Sequence, residues 1–430
     1  MDEPKLEVET TAGELSTPVL RQKAPFSPSW QEKIAAFALY ILAYLYLDME
    51  IGTWQLTVFT LGFIALTELL YWNRPRSRES WVWLGCLTLI FLSIRLDRCN
   101  AWGTFYPGLF LHIFAVWWVL SRSGCLLEGE SGHLLPLDAL NGFIVFPFKH
   151  FFRRIRTVWH TLTQLGRRGG KPKTETLLWT LAAVLAAVGL FAAAVKLLMA
   201  ADAGFDALLS DVADFFLIDW DEWDTIQFLF SLPVAAYLFG LIAGTGHEKE
   251  ETLRERGASV RRWLGGLKKV PNTAFCVLLG AFGLLYLAFF VVQGSYLFGA
   301  FTRTLPEGFI VSEYARQGFF ELCRVMAVNF ALLWLVTRLS VRSVREHKIT
   351  LGLCLALLAE SLLFAVVAIS KLGLYIDCFG FTPLRLQSCW GVAALAFGCL
   401  CAGYSLLTGK KSFRVWMIFG AVSLSLLCLY

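Results

Sequence analysis

Ser312-Glu313-Tyr314-Ala315-Arg316-Gln317-Gly318-Phe319-Phe320-Glu321-Leu322-Cys323-Arg324 carries four charges into a run, Val325 to Leu339, that is apolar apart from Asn329 and Arg338. The apolar run and its charged beginning together have the length of a membrane-spanning helix. A charge at the bilayer centre costs roughly 2.5–3.5 kcal/mol on insertion scales, so such residues face a protein interior or a wet cavity. At about 100° per residue, Glu313, Gln317, Glu321 and Arg324 share an arc of about 80°, with Arg316 about 60° to one side. The helix therefore has one polar face, confined to the outer half of the span, and Asn329 stands off it. The plainer reading is two interfacial ion pairs, Glu313 with Arg316 and Glu321 with Arg324, that anchor a helix end.

Composition agrees with this setting. The chain has 430 residues, 57% hydrophobic and 17% charged, with 16 Trp and 36 Phe, where a soluble domain is nearer 25% charged. Repeated apolar runs are long enough to cross a hydrocarbon core of about 30 Å. The expected fold is all-α: a polytopic transmembrane helical bundle of about eleven spans with an interfacial amphipathic helix. Basic runs flank spans without any nucleic-acid motif, which excludes a nucleic-acid partner. Most of the 11 cysteines sit in apolar runs as small hydrophobes. Neither Cys-x-x-Cys nor His-x-x-x-His spacing occurs, and we expect no metal and no cofactor.

Working outward, residues 1–33 are polar and contain Pro4, Pro18, Pro25 and Pro28, as a flexible cytoplasmic tail would. Spans are expected near 34–47, 54–72, 81–95 and 103–121, forming an N-terminal set. The segment 122–175 is read as cytoplasmic. In it Phe148, Phe151, Phe152, Ile155, Trp159 and Leu162 recur at helical spacing, with Lys149, Arg153, Arg154 and Arg156 off that stripe. Those four cations are expected to meet anionic lipid headgroups, or else a soluble protein partner. The remainder, 176–430, is read as a C-terminal bundle with spans near 176–199, 225–246, 272–293, 313–338, 350–371, then to 407 and to 430. Between the first two lies an acidic, aromatic stretch from Asp202 to Asp224 that lacks the Asp-x-Asp-x-Asp-Gly calcium loop. Gly240 and Gly244 form a small-xxx-small pair that lets helices approach closely. Gln293 to Phe301 is too short to span again and reads as a re-entrant or outer half-helix, and Thr382 before Pro383 reads as a helix cap. Basic loops all fall on one side, which places the amino terminus in the cytoplasm and the carboxyl terminus outside.

Tyr296-Leu297-Phe298-Gly299, the stretch Glu313 to Leu322, and Gly380-Phe381-Thr382-Pro383-Leu384-Arg385 resemble bacterial integral membrane proteins classed as domain-of-unknown-function families 4173 and 4153. The resemblance covers roughly the last third of the chain. It implies a bacterial inner-membrane location and supplies no substrate, reaction or catalytic residue.

Glu360 is the sharpest single residue, mid-span with Ala356, Ala359 and Ser361 around it. Counting about 1.5 Å per residue puts it near the depth of Asn329, with Arg324 about one turn farther out. We expect Glu360 to pair with Arg324 at the bottom of an outward-facing vestibule whose members are Glu313, Arg316, Gln317, Glu321, Arg324, Glu360, Asp377 and Arg385. A transporter for a small polar or ionic solute would use Glu360 as its coupling carboxylate. A sensor or scaffold would use the same charges as a lock and meet a protein partner at its cytoplasmic loops. An enzyme acting on lipid-linked substrate has no nucleophile elbow, metal ligands or phosphate loop to support it, and no catalytic residue is assigned. His112 reads as a hydrogen-bonded packing residue rather than a step in a proton path.

Overall fold

The computed structural model describes residues 26–47, 54–96, 105–166, 222–292 and 311–429. Most of the amino-terminal tail, the expected span at 176–199, nearly all of the acidic stretch and the re-entrant piece after Gln293 lie outside these residues. The described chain is helical: α1 (Trp30–Leu47), α2 (Trp54–Leu70), α3 (Arg78–Arg95), α4 (Phe105–Ser123), α5 (Leu135–Leu140), α6 (Phe146–Lys149), α7 (Phe151–Gly166), α8 (Glu222–Ile242), α9 (Glu250–Gly266), α10 (Asn272–Val292), α11 (Val311–Leu339), α12 (Lys348–Phe379), α13 (Pro383–Thr408) and α14 (Phe413–Leu427). A single π-turn, Asn141–Val145, joins α5 to α6. Among the described residues, five helices are long and apolar enough to cross a membrane, at Ile226–His247, Asn272–Val292, Phe319–Leu339, Lys348–Phe379 and Pro383–Thr408. Shorter apolar helices stand at Trp54–Leu70 and Phe413–Leu427.

Local chemistry sets several helix starts. Ser29 and Glu32 form a reciprocal cap on α1: the Glu32 amide donates to Ser29 Oγ at 3.2 Å and the Ser29 amide to Glu32 Oε2 at 3.1 Å. Ser77 accepts from the Ser80 amide at 3.0 Å at the head of α3. Thr382 precedes Pro383 as expected, but its side chain makes no capping bond; its carbonyl receives the Arg385 and Leu386 amides instead.

Two cores divide the bundle. One is built by α1–α4, α6, α8, α9 and α14, the other by α10–α13. The expected boundary at 175/176 does not coincide with this division, because α8, α9 and the last helix return to the first core. In the second core α12 is the central pillar, packed against α10, α11 and α13. With 32 residues it is about 48 Å long, more than the hydrocarbon thickness.

One end of the molecule gathers the basic turns. Tyr71 Oη donates to Ile242 O at 2.6 Å, Arg74 reaches Gly246 O at 2.7 Å and Ser123 O at 3.1 Å, and buried Arg122 donates to Tyr71 O at 2.6 Å. These bonds close carbonyls left over at the ends of α2, α4 and α8. In the second core Val270 and Ser340 form a one-residue bridge, which Asn272 reinforces through the Arg342 backbone at 3.0 Å. The end of α2, the start of α3, the end of α4, the end of α8 and the starts of α10, α12 and α14 therefore lie together, and we call this the basic end.

Gly240 meets the α6 backbone so closely that a Cβ there would lie 2.2 Å from Pro147 O. No side chain can yield at that contact. Gly240→Ala is expected to cost about 1–3 kcal/mol, the range for overpacking, whereas Gly280→Ala, with open space around its Cβ, should cost nothing. Thermal unfolding of both variants in one detergent checks this.

Candidate functional site

In the second core, α10, α11 and α12 bring polar groups together inside an apolar bundle. Tyr286 Oη donates to Asn329 Oδ1 at 2.7 Å, Asn329 Nδ2 donates to Ser361 Oγ at 2.9 Å, and Ser361 returns its hydroxyl to Leu357 O at 2.8 Å. Asn329 and Ser361 are buried at 2% and 1% exposure. Next to Ser361, Glu360 is half-buried, and its Oε2 is a buried oxygen with no hydrogen-bond partner among the described residues. The carboxylate faces α10, where a Cβ at Gly283 would stand 3.7 Å from Oε1.

The expected Glu360–Arg324 pair is not formed. Arg324 and Glu321 are exposed on α11, and Glu360 makes no ion pair among the described residues. Asn329 bonds the neighbour of Glu360, so the two lie at a similar depth, but rotation about the helix axes separates the charges. Phe364, one turn along α12, packs edge-on to Tyr286 at 5.2 Å and against Phe290 at 4.6 Å. That aromatic layer stands between Glu360 and the charges farther along the bundle.

Beyond the layer lies Lys371, which is fully buried and feels the Glu321 carboxylate of α11. Lys371 falls about 20° from Glu360 on the wheel, three turns away, so both belong to one face of α12. The spacing was readable in the sequence; the burial of Lys371 was not. Asp377 is exposed, and Arg385 folds back on its own helix start, donating to Gly380 O and lying 4.2 Å over the Tyr375 ring. Glu313, Arg316 and Gln317 occupy the first turns of α11, with side chains outside the described residues.

A second polar assembly occupies the basic end. α7 turns its apolar stripe outward, with Phe152 68% and Ile155 53% exposed, and Phe148 at the end of α6 continues it at 60%. Its basic side faces the protein. Arg153 pairs with Glu32 at 3.0 Å, His247 shares that carboxylate, and buried Arg154 donates to Ala36 O at 3.0 Å. Lys149 and His150 meet Glu248 at 2.5 and 2.7 Å. Of the four cations expected at headgroups, Arg156 is exposed and the other three are engaged by protein acceptors. Periodicity located both faces of this helix but could not say which side the protein would cover.

Burial opposes the charge on Glu248, yet hydrogen bonds from Lys149 and His150 outweigh it and hold the carboxyl below its usual range. Burial keeps His150 below the ordinary histidine value despite Glu248. Asp138, 1% exposed, accepts from the Leu127 amide at 2.9 Å through Oδ1 and leaves Oδ2 buried without a partner. Burial first, with Glu128 and Glu79 adding to it, outweighs the downward pull of the Leu127 bond and pushes its pKa up to about 7.

Long apolar helices that expose many large aliphatic and aromatic side chains define a helical membrane-embedded protein. The chain belongs to the family described as domain of unknown function DUF4153, whose sequence profile matches residues 34–430. No curated protein and no solved structure matches the chain.

The raised pKa of Asp138 gives a signed expectation. Its folded value of about 7 exceeds the unfolded carboxylate value near 3.9. The stability contributed by the protonated group is full below the unfolded value and is lost as pH rises to the folded value. Asp138→Asn should match wild type near the acid end of that window and melt several degrees higher above it, as read by thermal unfolding against pH.

Proposed function

We propose that the protein is an ion-coupled transporter or permease whose coupling carboxylate is Glu360. The observation that carries this reading is a membrane-embedded carboxylate with a buried, unpartnered oxygen beside the Tyr286–Asn329–Ser361 chain. A structural charge would be paired, because an isolated buried ion is costly; one that takes up and releases a proton or binds a cation must be left accessible to it. The aromatic layer of Tyr286, Phe290 and Phe364 supplies the barrier that alternating access needs between Glu360 and the polar groups at the far end, Glu321 and Lys371. The solute is small and polar or ionic.

The reading places the chain in the bacterial inner membrane in eleven crossings, amino terminus in the cytoplasm and carboxyl terminus outside. Connectivity supports the count. α7 lies along the basic end, since Arg153 near its start meets Glu32 and Gln164 near its finish meets Lys33 at 2.8 Å. α8 begins at the far end, where Gln227 donates to Tyr44 O at 2.9 Å. The eleven-span count takes 176–199, which lies outside the described residues, as one crossing. Basic turns at one end orient that end to the cytoplasm.

A scaffold or sensor reading is favoured by a different observation: α9 exposes Trp263 at 66% on a charged helix at the basic end, a surface that a soluble protein partner could use. Anionic headgroups at Arg156 and Lys149 fit either reading.

Proteoliposomes containing an entrapped pH dye test the main proposal. Wild type should dissipate an imposed proton gradient faster than empty vesicles, Glu360→Gln should return it to background, and Asn329→Ala should slow it in part. Vesicles that hold the gradient with wild type under both signs of potential would refute proton coupling, and a co-purifying protein lost when 250–266 is shortened would favour the scaffold.

A further inference from the structure

The first core contains a cavity of about 400 Å³ between α2, α4 and α8, closed below by the π-turn segment. Its walls are almost wholly apolar, from Phe59, Ala115, Val116, Val234 and Leu238. Three polar side chains touch it, and each is already satisfied. His112 Nδ1 lies 2.6 Å from Gly108 O, which can only accept, so this nitrogen carries the proton and Nε2 accepts from Tyr46 Oη at 2.8 Å. Tyr237 Oη donates to Phe143 O at 2.9 Å. With every donor spent and only two phenol oxygens left to accept, water finds too few partners, and cavities of this kind stay dry and take apolar guests.

The cavity also has a mouth. Phe148 and Phe151 line it, and Phe148 is at the same time 60% exposed on the apolar ridge that continues through Phe152 and Ile155. The space is therefore continuous with the surface that faces lipid. Its wall on α8 runs from Pro233 to Leu241, about 12 Å along the helix, so it is elongated in the direction of the acyl chains. Two backbone irregularities border it: the π-turn at Asn141–Val145, a type of bulge frequent at functional sites, and Pro233 inside α8.

We propose that this cavity is a binding site for one acyl chain of a membrane phospholipid, which enters past Phe148 and ends against the Tyr46–His112 pair. The headgroup stays at the basic end near Lys149 and Arg156. The site is separate from Glu360 and does not depend on the transport reading.

Full-length protein in bilayer nanodiscs, doped with a phosphatidylcholine bearing a diazirine on one acyl chain, provides the test. Irradiation followed by peptide mapping should place crosslinks on 111–116 and 233–241 in wild type, and excess unlabelled phosphatidylcholine should compete them away. Ala115→Phe and Val234→Phe, which fill the space from two walls, should each lower those crosslinks by about tenfold or more, since denying burial to two methylenes costs that factor. Crosslinks on Phe152 and Ile155, at the bilayer surface, should persist and certify a folded protein. Crosslinks confined to that outer ridge in wild type, or unchanged in both filled variants, would overturn the proposal. Competition by free fatty acid but not by phospholipid would overturn the assignment to phospholipid.

Discussion

Arg414, at the start of the last helix, reaches Glu79 at 3.2 Å, and that carboxylate is only 2% exposed. Glu79 also receives the Trp83 indole at 2.9 Å and the Ser131 amide at 3.2 Å. A carboxylate taken out of water must have its charge met several times over, or its desolvation outweighs what any one partner returns. Meeting it here requires α3, the 124–133 loop and α14 to sit together. The last helix is thereby held in the first core, and Arg414 and Lys411 extend the clasp to Glu130 and Glu128. The arrangement of two cores with one shared end follows from satisfying this group.

The same rule separates the two polar assemblies. At the basic end, Glu32, Glu68, Glu79, Glu128 and Glu248 all have cationic partners, and backbone carbonyls left over from helix ends are taken up by Tyr71, Arg74 and Arg122. Among the described residues the rule is broken at Asp138 in the first core and at Glu360 in the second, each with a buried oxygen that has no partner. Glu360 differs from Asp138 in standing beside an otherwise complete hydrogen-bonded side-chain network, where the surrounding bundle could have supplied a donor.

The amphipathic helix α7 shows where pattern reading stops. In water the basic side of such a helix faces solvent, and at a membrane surface it faces headgroups. Here the carboxylates Glu32 and Glu248, far away in sequence, pair with Arg153 and Lys149 while the aromatic ridge is left exposed. The cavity behind Phe148 has no sequence signature for a related reason. It is an absence of packing among five separate segments, and nothing in any one of them records it.

The sequence by itself determined the helical membrane class, the positions of most described helices, the family, and the common depth of Asn329 and Glu360, because these follow from apolar run length, from periodicity and from rise per residue. It also contained the close approach at Gly240, which depends on a missing side chain. Tertiary structure decided which helices are neighbours and how each is turned about its axis. Rotation by a fraction of a turn took Arg324 away from Glu360, buried Lys371 and placed an aromatic layer between them. That quantity is set by packing against partners remote in the chain, so it cannot be read from one helix at a time.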